Sequence, residues 1–265
     1  MNSASKKAIL VVSFGTSYEN TRKLTIEAIE HDIADAFPAC PTYRAWTSKM
    51  IIAKLKKRDG LTIHTVKEAL EQMLLDGITD VIVQPTHVIN GIENDQMKAD
   101  ALSFRDRFSS IVFGNPLLTT EEDNQAIVRV VADEFRDMDP DTALVLMGHG
   151  TEHYANTVYA ALDYRFKDPG HKNIFLGTVE AYPALDSLLR AADSFHPKKI
   201  VLAPFMIVAG DHAQNDLAGA DPDSWMNRLS SEGYEVTPVL KGLGEYPQVR
   251  QILVEHVQQA MNASI

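Results

Sequence analysis

Cysteine is nearly absent. Cys40 is the only one in 265 residues, which excludes an internal disulfide and a thiolate metal cage. It stands between Ala39 and Pro41 in an expected loop, where a plain structural role suffices. Long apolar runs are missing too, none approaching the ~20 residues that span a bilayer. Basic residues are in deficit: 25 Lys and Arg face 36 Asp and Glu, a net charge of −11. Nucleic-acid binding is therefore not expected, because neutralising phosphates needs Lys and Arg. There is no Gly-x-x-x-x-Gly-Lys-Ser/Thr loop, no Gly-x-Gly-x-x-Gly opening a first helix, and no Gly-x-Ser-x-Gly elbow. A nucleotide cofactor is accordingly not expected. The first apolar run, Ala8–Val12, is too short for a signal-peptide core, so cytoplasm is the expected location.

What the chain does have is an alternation of strand-like and helical patterns, with an apolar share of 45% that suits a sizeable core. Strands are expected at Ala8–Val12, Thr42–Trp46, Asp80–Gln84 and Ile111–Phe113, and helices at Thr21–Phe37, Met50–Lys57 and Thr65–Leu75. The last opens with a Thr65–Glu68 capping-box pattern. A second series begins with a helix at Glu121–Asp137. Apolar strands then lead up to His149, Glu180 and His212, followed by a strand at Glu235–Leu240 and a helix at Pro247–Met261. Such alternation predicts an α/β fold with parallel sheets and right-handed crossovers.

The two series resemble each other. Ala8-Ile-Leu-Val-Val-Ser-Phe-Gly-Thr16 aligns with Ala143-Leu-Val-Leu-Met-Gly-His-Gly-Thr151, and Pro85-Thr-His-Val-Ile-Asn-Gly-Ile-Glu93 with Pro204-Phe-Met-Ile-Val-Ala-Gly-Asp-His212. The expectation is two similar lobes, residues 1–120 and 121–265, each a parallel sheet flanked by helices and facing across a cleft. The closing helix is free to pack on either. In this pairing Phe14 takes the place of His149 and Glu93 that of His212, so the polar residues point to one working site in the second lobe.

His149, Glu180 and His212 each follow an apolar strand, and ligands of open α/β sheets gather outside the carboxyl ends of their strands. Two imidazoles and a carboxylate at one rim suit a borderline divalent metal. Each has a plainer reading. His149 could be a hydrogen-bonded strand-end residue, although its flanking glycines allow close approach. Glu180 could cap the helix after Pro183. Near His212, Asp211 and Asp216 could cap the next helix. His153 is expected at a solvent-facing corner and His87 as a cleft histidine. His31, His64, His171, His196 and His256 read as surface residues.

Taken together, Val11-Val-Ser-Phe-Gly-Thr-Ser17, Leu146-Met-Gly-His-Gly150, Gly177-Thr-Val-Glu-Ala-Tyr-Pro183, Met206-Ile-Val-Ala-Gly-Asp-His-Ala213 and Gly242-Leu-Gly-Glu245 resemble the anaerobic cobalt chelatase family CbiK, from first strand to last helix. The resemblance implies a two-lobed chelatase-like fold and insertion of Co(II) into sirohydrochlorin in cobalamin biosynthesis. It places His149 and Glu180 in catalysis and His149, Glu180 and His212 on the metal. The metal is then a substrate: Co2+, with Fe2+ or Ni2+ as alternatives. Phe14, Thr16, His87, Glu93, Met206 and Val208 are candidate contacts to the macrocycle, with core packing as the alternative for the apolar ones. Arg44, Lys49, Lys54 and Lys56-Lys-Arg58 are candidate anchors for its carboxylates. Two other readings stay open. One is an iron chelatase making sirohaem; the other is a non-catalytic haem or metal carrier with His87 as axial ligand. Oligomeric state, homo-oligomer included, stays open as well.

Overall fold

The computed structural model describes residues 6–263, which form two compact units, 6–119 with 247–263 and 120–246. In the first, strands β1 (Lys7–Ser13), β2 (Thr42–Trp46), β3 (Asp80–Pro85) and β4 (Ser110–Phe113) make one parallel sheet in the order β2-β1-β3-β4. In the second, β5 (Thr142–Gly148), β6 (Ile174–Thr178), β7 (Lys199–Pro204) and β8 (Glu235–Pro238) repeat that order as β6-β5-β7-β8, again all parallel. The internal similarity of the sequence is thus a similarity of topology, with β1 matching β5 and β3 matching β7.

The central strands are apolar on both faces because helices cover both sides. Every residue of β5 is buried, and in β1 only Lys7 is not. A sheet so enclosed cannot alternate polar and apolar residues, which is why these strands read as unbroken apolar runs.

The helices α1 (Glu19–Leu24), α2 (Ile26–Ala36), α3 (Lys49–Asp59), α4 (Val66–Leu75) and α5 (Ile92–Leu102) lie between the strands of the first unit. One departs from expectation, and α5 lies where no helix is expected. The Thr21–Phe37 pattern is split at Thr25 (φ −121°, ψ −79°), whose hydroxyl donates to Thr21 O at 2.5 Å. A side chain bonding back to its own turn competes with the regular ladder. Helix α5 carries no clear apolar stripe, since it buries Asn94, Met97 and Ala101 while Ile92 and Leu102 are exposed. Helix α4 opens as expected, with Thr65 and Glu68 exchanging capping hydrogen bonds.

The second unit adds α6 (Glu121–Glu134), α7 (Thr157–Lys167), α8 (Leu185–Ala192) and α9 (Trp225–Ser231). The chain ends in α10 (Pro247–Asn262), which belongs to the first unit and packs on α2, β3 and β4. Arg250 Nε donates to Asp32 on α2 at 2.6 Å. His256, read from sequence as a surface residue, is 1% exposed, with Nδ1 3.0 Å from Asn115 O. It lies on the buried face with Val249, Leu253 and Val257, and a single polar residue within an apolar stripe gives little sign of its side. Among the described residues no helix is long and apolar enough to cross a membrane.

If α10 is an integral layer of the first unit, Leu253→Ala should cost about 2–5 kcal/mol, the usual range for a fully buried leucine. Urea unfolding followed by circular dichroism measures it. A cost under about 0.5 kcal/mol would mean a loosely attached tail.

Candidate metal centre

Three loops at the carboxyl edge of the second sheet carry His149, Glu180 and His212. His149 follows β5 directly. Glu180 lies two residues beyond β6, in a loop tied to β5 by main-chain bonds: Val179 N–H to Gly148 O at 3.0 Å and Glu180 N–H to His149 O at 2.9 Å. Asn156 clasps the same two loops, accepting from Thr151 N–H at 3.0 Å and donating to Tyr182 O at 2.6 Å. Gly150 permits this closeness. Its φ is +86°, and an added Cβ would sit 2.8 Å from Thr178 Cβ and 2.9 Å from Ala181 Cβ.

His212 is not at a strand end, contrary to the sequence reading. Strand β7 stops at Pro204, and His212 comes after the loop 205–211, at the start of a π-helical turn, Ala213–Leu217. That loop is held by the motif Gly242-Leu-Gly-Glu245. Leu243 N–H donates to Met206 O at 2.8 Å and Gly244 N–H to Ile207 O at 3.0 Å. Only glycine fits at 242, where a Cβ would fall 2.5 Å from Ile207 O.

One nitrogen of each imidazole and one carboxylate oxygen of Glu180 lie within 4.8 Å of one another. Glu180 stands 3.8 Å from His149 Nδ1 and 3.7 Å from His212 Nε2. The rings meet edge to face with centroids 4.6 Å apart. Ligands held at about 2.1 Å from one ion are roughly 3–4 Å apart, the range in which Glu180 already stands from each imidazole. His149 Nδ1 is 2.7 Å from Gly150 O and His212 Nδ1 is 2.6 Å from Asp216 Oδ2. Both acceptors require a protonated Nδ1, which leaves the lone pair on Nε2; at His212 that nitrogen is the one facing Glu180, whereas at His149 Nδ1 is the nearer to it. All three side chains are part-exposed, at 41%, 52% and 30%. An ion can therefore enter and leave. His153 points elsewhere, stacking on Tyr154 and accepting from Ala155 N–H at 3.2 Å.

The other candidates divide. Met206 packs in the second core with Leu202 and Trp225, while Val208 is half-buried. In the first unit, Phe14 is 44% exposed just past β1, but Thr16 is buried and its hydroxyl accepts from Tyr18 N–H at 3.3 Å, a local turn bond. Arg44 is not free for a substrate carboxylate, because its Nε donates to Glu30 at 2.7 and 2.9 Å. Arg58 is engaged with Asp59 and with Ser17 O. Lys49, Lys54, Lys56 and Lys57 form the solvated face of α3. Glu93 occupies the first turn of α5. His87 has both ring nitrogens shielded from solvent without a hydrogen-bond partner. Burial pushes it down to about 4, against the opposing pull of Glu93 and Asn94.

The chain matches the family model described as "Cobalt chelatase (CbiK)" over residues 7–262. It is 39% identical over 263 residues to a sirohydrochlorin cobaltochelatase of Salmonella typhimurium, covering 98% of each chain. It is 33% identical over 267 residues to sirohydrochlorin cobaltochelatase CbiKC of Nitratidesulfovibrio vulgaris, covering 97% of this chain and 92% of that one. In structure it is similar to SirB from Bacillus subtilis solved with Fe3+, with a TM-score of 0.67 at 14% identity, covering 98% of this chain and 97% of that one. At that identity the likeness establishes the fold.

Two outcomes test these assignments. Gly150→Ala should push the Gly148–Thr151 and Val179–Ala181 segments apart and lower Co(II) affinity measured by calorimetry about tenfold or more, in the range that misplaced metal ligands show. Unchanged affinity would mean that the close approach is incidental. His87 bears on acid stability. An unfolded histidine takes up a proton below about 6.5, whereas folded His87 does so only near about 4. The unfolded state then binds more protons between those values, so stability is full above 6.5 and falls as pH drops toward 4, by up to about 3 kcal/mol. His87→Gln should remove that part of the acid limb in urea melts, and an unaltered limb would rule it out.

Proposed function

The chain belongs to the cobalt chelatase (CbiK) family and is a sirohydrochlorin cobaltochelatase of cobalamin biosynthesis, and on that premise we propose that His149, Glu180 and His212 are the groups that carry out metal insertion. The observation that supports this reading is the convergence of two imidazoles and one carboxylate within 4.8 Å.

Chelation exchanges one divalent cation for the two protons of the macrocycle's inner pyrrole nitrogens. The protein must hold the ion, release it, and accept protons as they leave. His149 and His212 present neutral nitrogens that bind Co(II) without thiolate tenacity. Glu180 supplies the negative charge that draws a partly hydrated cation in. As the pyrrole nitrogens replace the protein ligands, the freed Glu180 oxygen and His149 are the bases assigned to the departing protons. The reaction is redox-neutral and consumes no phosphoryl group, so no nucleotide cofactor is called for. The metal ion is a substrate, delivered and carried away at every turnover.

A donor set of two nitrogens and one oxygen accepts Co(II), Ni(II) and Fe(II) alike, so supply rather than affinity selects among them. We assign Co(II) as the working metal.

Purified protein with sirohydrochlorin and Co(II) under anaerobic conditions should convert the macrocycle's visible spectrum faster than the spontaneous reaction. His149→Ala and His212→Ala should each lower kcat/KM about 100-fold or more, and Glu180→Gln should lower kcat, in keeping with lost ligation and proton transfer. Wild-type rates in both histidine variants would refute the site. Competition between Co(II), Fe(II) and Ni(II) in the same assay reads the metal preference, and faster turnover with Fe(II) would overturn the assignment of cobalt.

A further inference from the structure

The shortest carboxylate contact in the centre is not made by Glu180. It is made by Asp216, whose Oδ2 is 2.6 Å from His212 Nδ1, while Glu180 stands 3.7 Å away at Nε2. Asp216 lies four residues after His212 on the turn Ala213–Leu217, which His212 caps with helical dihedrals (φ −59°, ψ −38°). Residues four apart share a helix face, so the turn carries the carboxylate back beneath the ring that starts it. That contact is the only hydrogen bond of the Asp216 carboxylate among the described residues. A helix-capping aspartate would instead accept a backbone N–H, and His212 shows no side-chain cap on this turn.

We propose that Asp216 is a positioning residue for metal transfer. Its carboxylate accepts the Nδ1–H of His212, fixes the ring's orientation and tautomer, and aims the Nε2 lone pair at Glu180 and the incoming ion. An ionised carboxylate can only accept, so it fits one of the two neutral tautomers and disfavours the other. The bond also makes the imidazole a better donor, as carboxylate partners of metal-bound histidines do. His149 needs no such partner, because Gly150 O performs this task through the main chain. His212 sits after a long loop with no strand to align it, and a side-chain anchor replaces the missing ladder. This role rests on the reading that His212 binds the ion.

The test compares Asp216→Ala, Asp216→Glu and His212→Ala. In Asp216→Ala the Kd for Co(II), read from its visible bands without sirohydrochlorin, and the KM for Co(II) should both rise about 10–100-fold, with kcat changed much less. The 15N shifts of His212 should move from the Nδ1–H pattern to a mixture of tautomers, and the Tm should stay near that of the parent. Asp216→Glu should recover part of the affinity. A lowered Tm with unchanged Kd and 15N shifts would make Asp216 a structural residue and overturn the proposal. So would an Nε2–H tautomer at His212 in the parent protein, which decides the matter even if a variant folds poorly. If His212→Ala itself keeps the parent's Kd and rate, the metal-centre reading fails instead, so the two failures are separable.

Discussion

The backbone ladder joining β5 to β6 runs past the ends of both strands, and the placement of the proposed metal centre depends on it. Val179 N–H bonds to Gly148 O and Glu180 N–H to His149 O, so the carboxylate and the first imidazole are set by main-chain bonds. Main-chain bonds of this kind lose little by ordering, since each fixes a segment already held by the sheet. Gly150 turns the chain with φ +86° where any Cβ would strike Thr178 or Ala181. Two of the proposed ligands, just beyond the ends of neighbouring strands, are therefore fixed by the main chain. The third is placed by different means. The loop 205–211 is pinned from outside by Leu243 and Gly244, and His212 is steadied by Asp216.

A centre that must give up its metal at every cycle has constraints opposite to those of a structural site. Structural zinc sites are closed by four protein ligands, often thiolates, and add directly to folding stability. The three proposed donors are part-exposed, which would leave the remaining positions to water and to the incoming macrocycle. Partial exposure also keeps the desolvation cost of Glu180 low, where full burial of an unpaired carboxylate would be severe. The internal repeat shows that the arrangement is local and not a property of the sheet order. The same order recurs in the first unit, with Phe14 and Glu93 in the places of His149 and His212, and among the described residues a convergence of side chains able to hold a metal is confined to the second unit.

Much of this architecture was legible in the residues, for physical reasons. Strands enclosed on both faces announce themselves as apolar runs, and β1, β3, β5 and β7 were all readable. The Thr65–Glu68 box was readable because capping is a contact between near neighbours. Other features depend on distant partners. Helix α5 hides its buried face behind Asn94, and the break at Thr25 turns on one hydroxyl. Arg44 looked available because Glu30, its partner 14 residues earlier, could not be seen across from it. His256 looked exposed because its acceptor is Asn115 O. At the candidate metal centre the sequence pointed to the three side chains that converge, whereas the route of the chain from Pro204 to His212 was not legible. That route is drawn by bonds to Gly242–Glu245, a motif whose purpose shows only in three dimensions.

Selectivity cannot reside in these three donors alone. Two imidazoles and a carboxylate bind first-row divalent ions in the general order of their acidity, with Ni(II) above Co(II) and Co(II) above Fe(II). A site under equilibrium control would then fill with whichever ion is strongest and most abundant. Turnover changes the criterion, because an ion that binds tightly but transfers slowly blocks the site. The loosely built triad favours release, and its few protein ligands leave room for the macrocycle's nitrogens to take over one bond at a time. Ordering the histidines in advance, through Gly150 O and Asp216, lowers the cost of capturing the ion without adding a further ligand that would hinder its departure. Fixed ligand direction and low ligand number are thus complementary demands of a single reaction, and both are met by hydrogen bonds one step removed from the metal.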